Sequence, residues 1–123
     1  MSPSPLICVI DDDPSVRAAT GRLLRSLGYS VQLFASAEAW LDDPTVAAPA
    51  CIVSDVQMPG MNGLELLARL RGEGRATPII FVTAFPDERR QRQALDGGAL
   101  GFLTKPFDQA ELASLVALAL GHG

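Results

Sequence analysis

The sequence predicts an α/β domain built on a doubly wound, five-stranded parallel sheet with five helices, and three observations lead there. Short apolar runs recur at LICVI, VQLF, CIV, PIIFV and LGFL, with lengths suited to buried strands. Segments whose apolar residues follow helical spacing lie between them. Strand and helix therefore alternate, which implies parallel strands with helices on both faces.

The first run, 6 to 10, leads into Asp13 and Pro14, an N-cap followed by proline at the first helical position. Val16, Ala19, Thr20, Leu23, Leu24 and Leu27 then repeat at i, i+3, i+4 spacing until Gly28 ends the helix. After the second run, 31 to 34, Ser36 caps a short helix through AEAWL, and Phe34, Trp40 and Leu41 belong to the core. The third run, 51 to 53, opens into a loop marked by Pro59, Gly60 and Gly63, in which Met58 to Met61 bend the chain. Leu64, Leu67, Ala68 and Leu70 mark the third helix, which breaks at 72 to 74. Following the fourth run, 78 to 82, Asp87 and Glu88 favour a helix start through the dipole, and that helix stops near Gly97 and Gly98. The fifth run, 100 to 103, precedes a helix after Asp108 carrying Leu112, Leu115, Val116 and Leu120.

A length of 123 residues fits one domain, 1–123, with a core from about 5 to 120. Apolar residues make up 48% and charged ones 20%, which argues against disorder, and no apolar stretch approaches the roughly 20 residues that cross a bilayer. MSPSP lacks the features of a secretory leader, so a soluble, cytoplasmic protein is expected. The net charge of −4 gives no general reason to bind nucleic acid or an anionic membrane directly. Cys8 and Cys51 lie inside apolar runs and read as small core residues, although a bridge is geometrically conceivable if their strands are neighbours.

Each run ends in a different chemical group: the first in Asp11, Asp12 and Asp13, the third in Asp55, the fourth in Thr83, and the fifth, through Thr104, in Lys105 and Pro106. In an open parallel sheet these ends share one edge, where ligands bind at the point of strand reversal. For the flavodoxin-like order 2-1-3-4-5, strands 1 and 3 flank that point, so Asp11, Asp12 and Asp55 meet there. Strands about 4.8 Å apart crowd the carboxylates, and each pair repels by a few kcal/mol at an effective dielectric near 20. A hard divalent cation relieves this, and carboxylate oxygens suit Mg²⁺. Metal-binding thiolates or histidines are not apparent, since the single histidine, His122, is in the tail. Lys105 reaches the same edge on its long stem, and Thr83 adds a hydroxyl. Asp13, beside Pro14, is read as a helix cap.

Four fragments, IDDD at 10 to 13, SDVQMPGMNG at 54 to 63, FVTAF at 81 to 85 and FLTKPF at 102 to 107, each after its own strand, resemble the CheY-like receiver domain of two-component response regulators. The resemblance spans nearly the whole chain. It implies that Asp55 is the phosphoacceptor, supplied by a sensor histidine kinase or a phosphotransfer protein. It further implies Mg²⁺, or Mn²⁺ in its place, on Asp12, Asp55 and the backbone carbonyl of Gln57, with Asp11 acting mainly through water. Thr83 and Lys105 hold the phosphoryl oxygens, and Thr83 and Phe102 form the switch. Phe102 stands where tyrosine offers a hydroxyl, so its burial rests on packing. Gln57 and Phe85 tune how long the phosphate lasts. An output domain or partner protein meets the face of helix 4, strand 5 and helix 5, with a phosphorylation-dependent homodimer among the assemblies implied. Arg89, Arg90 and Arg92 read first as a solvated helix face and second as part of that surface. Such a domain catalyses only its own phosphorylation and dephosphorylation. It binds neither nucleic acid nor membrane itself.

Three rivals share features of this pattern. An FMN carrier would have a Ser-, Thr- and Gly-rich first loop, and here that loop is acidic. A haloacid-dehalogenase-like phosphatase would place a second aspartate two residues after the first, where this chain has Gln57. A phosphorylation-independent receiver-like interaction module is the remaining alternative. The chain stops at LGHG, as expected of a stand-alone regulator or of a piece of a larger one; SAEAWL and the brief tail resemble receivers joined to DNA-binding domains.

Overall fold

A computed structural model describes residues 4–43 and 48–121; His122 and the first residues of MSPSP lie outside them. Five strands, β1 (Leu6–Ile10), β2 (Ser30–Phe34), β3 (Cys51–Asp55), β4 (Ile79–Thr83) and β5 (Gly101–Thr104), alternate with five helices, α1 (Pro14–Ser26), α2 (Ala37–Leu41), α3 (Gly63–Gly72), α4 (Glu88–Asp96) and α5 (Gln109–Ala119). All strand pairs are parallel, in the order β2-β1-β3-β4-β5. Fold class and strand order are those the sequence predicts.

Side-chain alternation along the strands divides the core into two layers. Cys8, Ile10, Ile52, Ile79 and Phe81 pack under α2, α3 and α4, through Trp40, Leu66, Leu70 and Ala94. Ile7, Val9, Cys51, Val53, Ile80 and Val82 pack under α1 and α5, through Leu24, Leu112 and Val116. Both central strands, β3 and β4, are buried along their whole length, which is why their sequences read as continuous apolar runs. Each fully buried aliphatic side chain contributes about 1.5–3 kcal/mol.

The same alternation bears out the reading of the cysteines as core residues and disposes of the bridge. Cys8 pairs with Ile52 and Cys51 with Ile7, so the two thiols, though on adjacent strands, belong to opposite faces of the sheet. Both are free and buried, and no bridge can join them without turning a strand over. Burial pushes the Cys8 thiol up to about 11 and the Cys51 thiol up to about 12, so both act as inert core residues.

Helix starts follow the capping chemistry of the sequence. Asp13 accepts from Ser15 N–H and Val16 N–H, Ser36 from Ala39 N–H, Asp87 from Arg89 N–H and Arg90 N–H, and Asp108 from Ala110 N–H. At α3, Asn62 and Glu65 form a reciprocal capping box. Among the described residues no helix is long and apolar enough to cross a membrane.

Candidate functional site at the carboxyl edge of the sheet

Counting along the strands shows why particular residues meet. Val9, Val53 and Leu103 face the α1 and α5 layer; two residues further on, with the same parity, come Asp11, Asp55 and Lys105. The structure joins all three. Lys105 Nζ donates to Asp11 Oδ2 at 2.9 Å and to Asp55 Oδ2 at 3.1 Å, and both acids are nearly buried, at 2% and 7% exposure. Asp12, exposed on the β1–α1 loop, completes the cluster: one carboxylate oxygen from each of Asp11, Asp12 and Asp55 lies within 4.8 Å of the others.

Backbone donors fix the remaining oxygens. Asp13 N–H donates to Asp11 Oδ1 at 2.9 Å, and Gln57 N–H donates to Asp55 Oδ1 at 3.1 Å. Arg17, from the first turns of α1, donates to the carbonyl of Asp11 at 2.7 Å and so anchors the acidic loop. Close packing of α3 against the end of β3 sets the other wall. A Cβ on Gly63 would stand 2.6 Å from the Asp55 carbonyl oxygen and 2.7 Å from the Phe81 ring, so only glycine fits there.

Electrostatically the site is unbalanced. Three carboxylates face one ammonium, which leaves two negative charges without a partner. Burial pushes the Asp55 carboxyl up; Lys105 opposes this, and Asp11 adds to it by repulsion. For Lys105, burial works to lower the ammonium, but the hydrogen bond and charge of Asp11, then those of Asp55, outweigh it and hold it above 10.5. The donor set fits a hard divalent ion.

Not every residue expected here points into the cluster. Thr83 is buried at 1% exposure, but its parity is that of Phe81 and Phe102, on the other face of the sheet. Its hydroxyl accepts from Phe85 N–H at 3.1 Å and donates to Phe85 O at 3.4 Å. Phe102 is half-buried against Phe81, with ring centroids 6.4 Å apart. Gln57 and Phe85 are both exposed and border the cluster, Phe85 at 66%. A cleft of about 890 Å³ opens beside Asp55 and Lys105, walled by Val16 and Leu23 of α1, by Phe107, and by Phe85.

Sequence reasoning missed Arg17, the apolar cleft wall and Glu38, which reaches the β3–α3 loop from α2. It also missed the Asn62 and Glu65 capping box, whose N-x-x-E spacing was available as a signal.

Comparison with known proteins agrees with this geometry. Residues 7–117 match the response regulator receiver domain. The response regulator protein TodT of Pseudomonas putida is 39% identical over 115 residues, covering 94% of this chain and 51% of that protein. The transcriptional regulatory protein FixJ of Bradyrhizobium diazoefficiens is 40% identical over 114 residues, covering 93% of this chain and 56% of that one. The chain thus spans about half the length of these relatives. A crystal structure of FixJ-N covers 100% of this chain and 98% of its own, at 29% identity and a TM-score of 0.87. With the matched segment reaching from β1 into α5, the chain belongs to the response regulator receiver domains.

Proposed function

We propose that this receiver domain is a phosphorylation-dependent switch in which Asp55 takes the phosphoryl group. One observation carries the reading: Lys105 bridges Asp55 and Asp11 at the open edge of the sheet, with Asp12 beside them. A structural carboxylate would be fully compensated by its neighbours. Here the excess negative charge lies where a cleft admits a donor.

In the transfer, a carboxylate oxygen of Asp55 attacks phosphorus. The new O–P bond forms as the bond to the donor breaks, and the donor, a phosphohistidine nitrogen or the oxygen of a small acyl phosphate, leaves with the electron pair. Mg²⁺, or Mn²⁺ in its place, bound by Asp12, Asp55 and the Gln57 carbonyl, with Asp11 acting mainly through water, would neutralise charge on the transferring group. Lys105, already held protonated by its two acids, pairs with a phosphoryl oxygen. Water attack on the same phosphorus then releases inorganic phosphate and restores the carboxylate, so the domain catalyses only its own loading and unloading.

Phosphorylation adds roughly one negative charge at neutral pH. The new oxygens compete with Phe85 for the Thr83 hydroxyl, which must leave its own loop to reach them. That movement frees space for Phe102 to bury further against Phe81. Output would pass to a domain or partner at the α4, β5 and α5 face, where Leu95 of α4 and Leu118 of α5 are 47% and 52% exposed and α4 carries Arg89, Arg90 and Arg92. A sensor histidine kinase or phosphotransfer protein supplies the phosphoryl group; in keeping with the name of FixJ, the output is transcriptional and lies outside this domain.

Intact-mass measurement after incubation with Mg²⁺ and acetyl phosphate tests this. The expected result is one phosphoryl adduct on the wild type and none on Asp55→Asn. An adduct on the variant, or none on either, would remove Asp55 from the role.

A further inference from the structure

Residues 56–62 join β3 to α3 and carry Gln57, and their backbone is tied down from three sides. Gln57 N–H donates to Asp55 Oδ1, and Gly63 N–H donates to Val56 O at 2.8 Å. The third tie comes from a residue 23 positions away: Glu38, on α2, accepts Met61 N–H at Oε2 over 2.9 Å. Its carboxylate lies over Gly60, where a Cβ would collide with Glu38 Oε2 and where φ is +76°. The backbone conformation favours glycine there, and a Cβ would push the end of the Glu38 side chain aside. The other oxygen, Oε1, is buried without a hydrogen-bond partner. The bond from Met61 N–H, then that from its own backbone, holds the Glu38 carboxyl below the usual carboxylate range.

A partly exposed carboxylate with one oxygen closed off from solvent and no hydrogen-bond partner there is not placed for stability alone. The geometry points to Glu38 as a positioning residue for the metal-binding loop: from α2 it clamps Gly60 and Met61, and so fixes the course of the backbone between Gln57 and the start of α3. The inference rests on the receiver-site reading above, since it assigns Glu38 its effect through the cation bound at Asp12, Asp55 and Gln57. It also links α2 to the site, because Glu38 shares its short helix with Trp40, which is buried in the core. Residues that orient metal ligands set the affinity for the ion without touching it.

Binding of Mn²⁺ alone, followed by water-proton relaxation, tests the assignment without requiring phosphorylation. Glu38→Ala is expected to weaken Mn²⁺ by about tenfold, the low end for outer partners of metal ligands. Glu38→Gln, which keeps an oxygen acceptor in the same space, is expected to stay within about twofold of the wild type. A purely structural role would lower the melting temperature of Glu38→Ala and leave its Mn²⁺ affinity alone, and that result overturns the inference. Loss of Mn²⁺ binding in the wild type would overturn both this inference and the site reading, which separates the two failures. Should Glu38→Ala not fold, amide exchange in the wild type decides: the Met61 N–H is expected to exchange more slowly with Mg²⁺ present, and an unchanged rate rejects the clamp.

Discussion

The two edges of the sheet handle charge in opposite ways. At the amino edge, Arg71, near the end of α3, donates to the carbonyls of Arg75 at 2.9 Å, Thr77 at 3.1 Å and Gly98 at 3.2 Å. One cation there closes two loops with three of its five N–H donors. Nearby, Arg75 covers the Trp40 ring at 5.2 Å. At the carboxyl edge, one ammonium serves two buried acids with a third beside them, and the cluster stays short of positive charge. Charge that is locally satisfied holds a fold together; charge left short of a partner at the mouth of a cleft awaits a ligand. Substitutions at the two edges should therefore separate stability from function.

The largest effect is expected from Lys105→Ala. It leaves Asp11 and Asp55 facing each other with no cation, and it removes the partner of the transferring phosphoryl oxygens. Phosphorylation by acetyl phosphate should slow by about a hundredfold, as when one preorganised donor is lost from a transition state. Rates within twofold of the wild type would show that Lys105 serves the fold and not the transfer. Arg71→Ala is the counterpart at the other edge. Three carbonyls lose a charged donor, so the domain should lose about 2 kcal/mol of stability in a denaturant melt. Its phosphorylation rate, measured where it remains folded, should stay within about twofold of the wild type. A large loss of phosphorylation in folded Arg71→Ala would mean that the edges are coupled.

The difference between the edges was only partly legible in the sequence. Asp11, Asp55 and Lys105 could be brought together from strand ends and strand order alone, because parallel topology fixes which termini share an edge. The caps at Asp13, Ser36, Asp87 and Asp108 were legible too, since each acts on its own helix. Thr83 was legible as a hydroxyl at the end of its strand, but not its direction without phosphate: strand parity puts it on the opposite face, where its hydroxyl bonds Phe85. Glu38 and Arg71 gave no sequence signal. Their partners are backbone groups, up to 27 residues away, and a backbone amide or carbonyl carries no residue identity to read.

A smaller effect, with a definite sign, concerns the stability of the unphosphorylated domain. Burial raises the Asp55 carboxyl above its ordinary value of 3.8. The folded state therefore holds this proton more tightly than the unfolded chain does. Stability from this group is present in full below the unfolded value and is lost as pH rises through the folded one. At neutral pH the ionised Asp55 thus works against the fold. Asp55→Asn, neutral at every pH, is expected to raise the melting temperature by a few degrees at pH 7. That gain should shrink as pH falls toward the carboxylate range. A lower melting temperature for Asp55→Asn at pH 7 would show that its bond to Lys105 outweighs burial and repulsion together.

The smallest expected effect lies at the rim of the cleft. Phe85 is two-thirds exposed, and only its backbone is held, by the Thr83 hydroxyl. The ring therefore owes its place near Asp55 to the loop and is free of core packing, which makes it a suitable probe of water access. A ring at the cleft mouth narrows the approach of the water that hydrolyses an acyl phosphate. Phe85→Ala opens that approach, and a change of about half a kcal/mol in the barrier shortens the phosphate lifetime two- to threefold. Phe85→Glu opens it as well, and its carboxylate could orient the water, so its lifetime should be shorter still. Both variants leave the Asp11, Asp55 and Lys105 contacts in place, so loading by acetyl phosphate should change little. Unchanged lifetimes in both would show that water reaches the phosphorus from another side of the carboxyl edge and that Phe85 is only the exposed end of its loop.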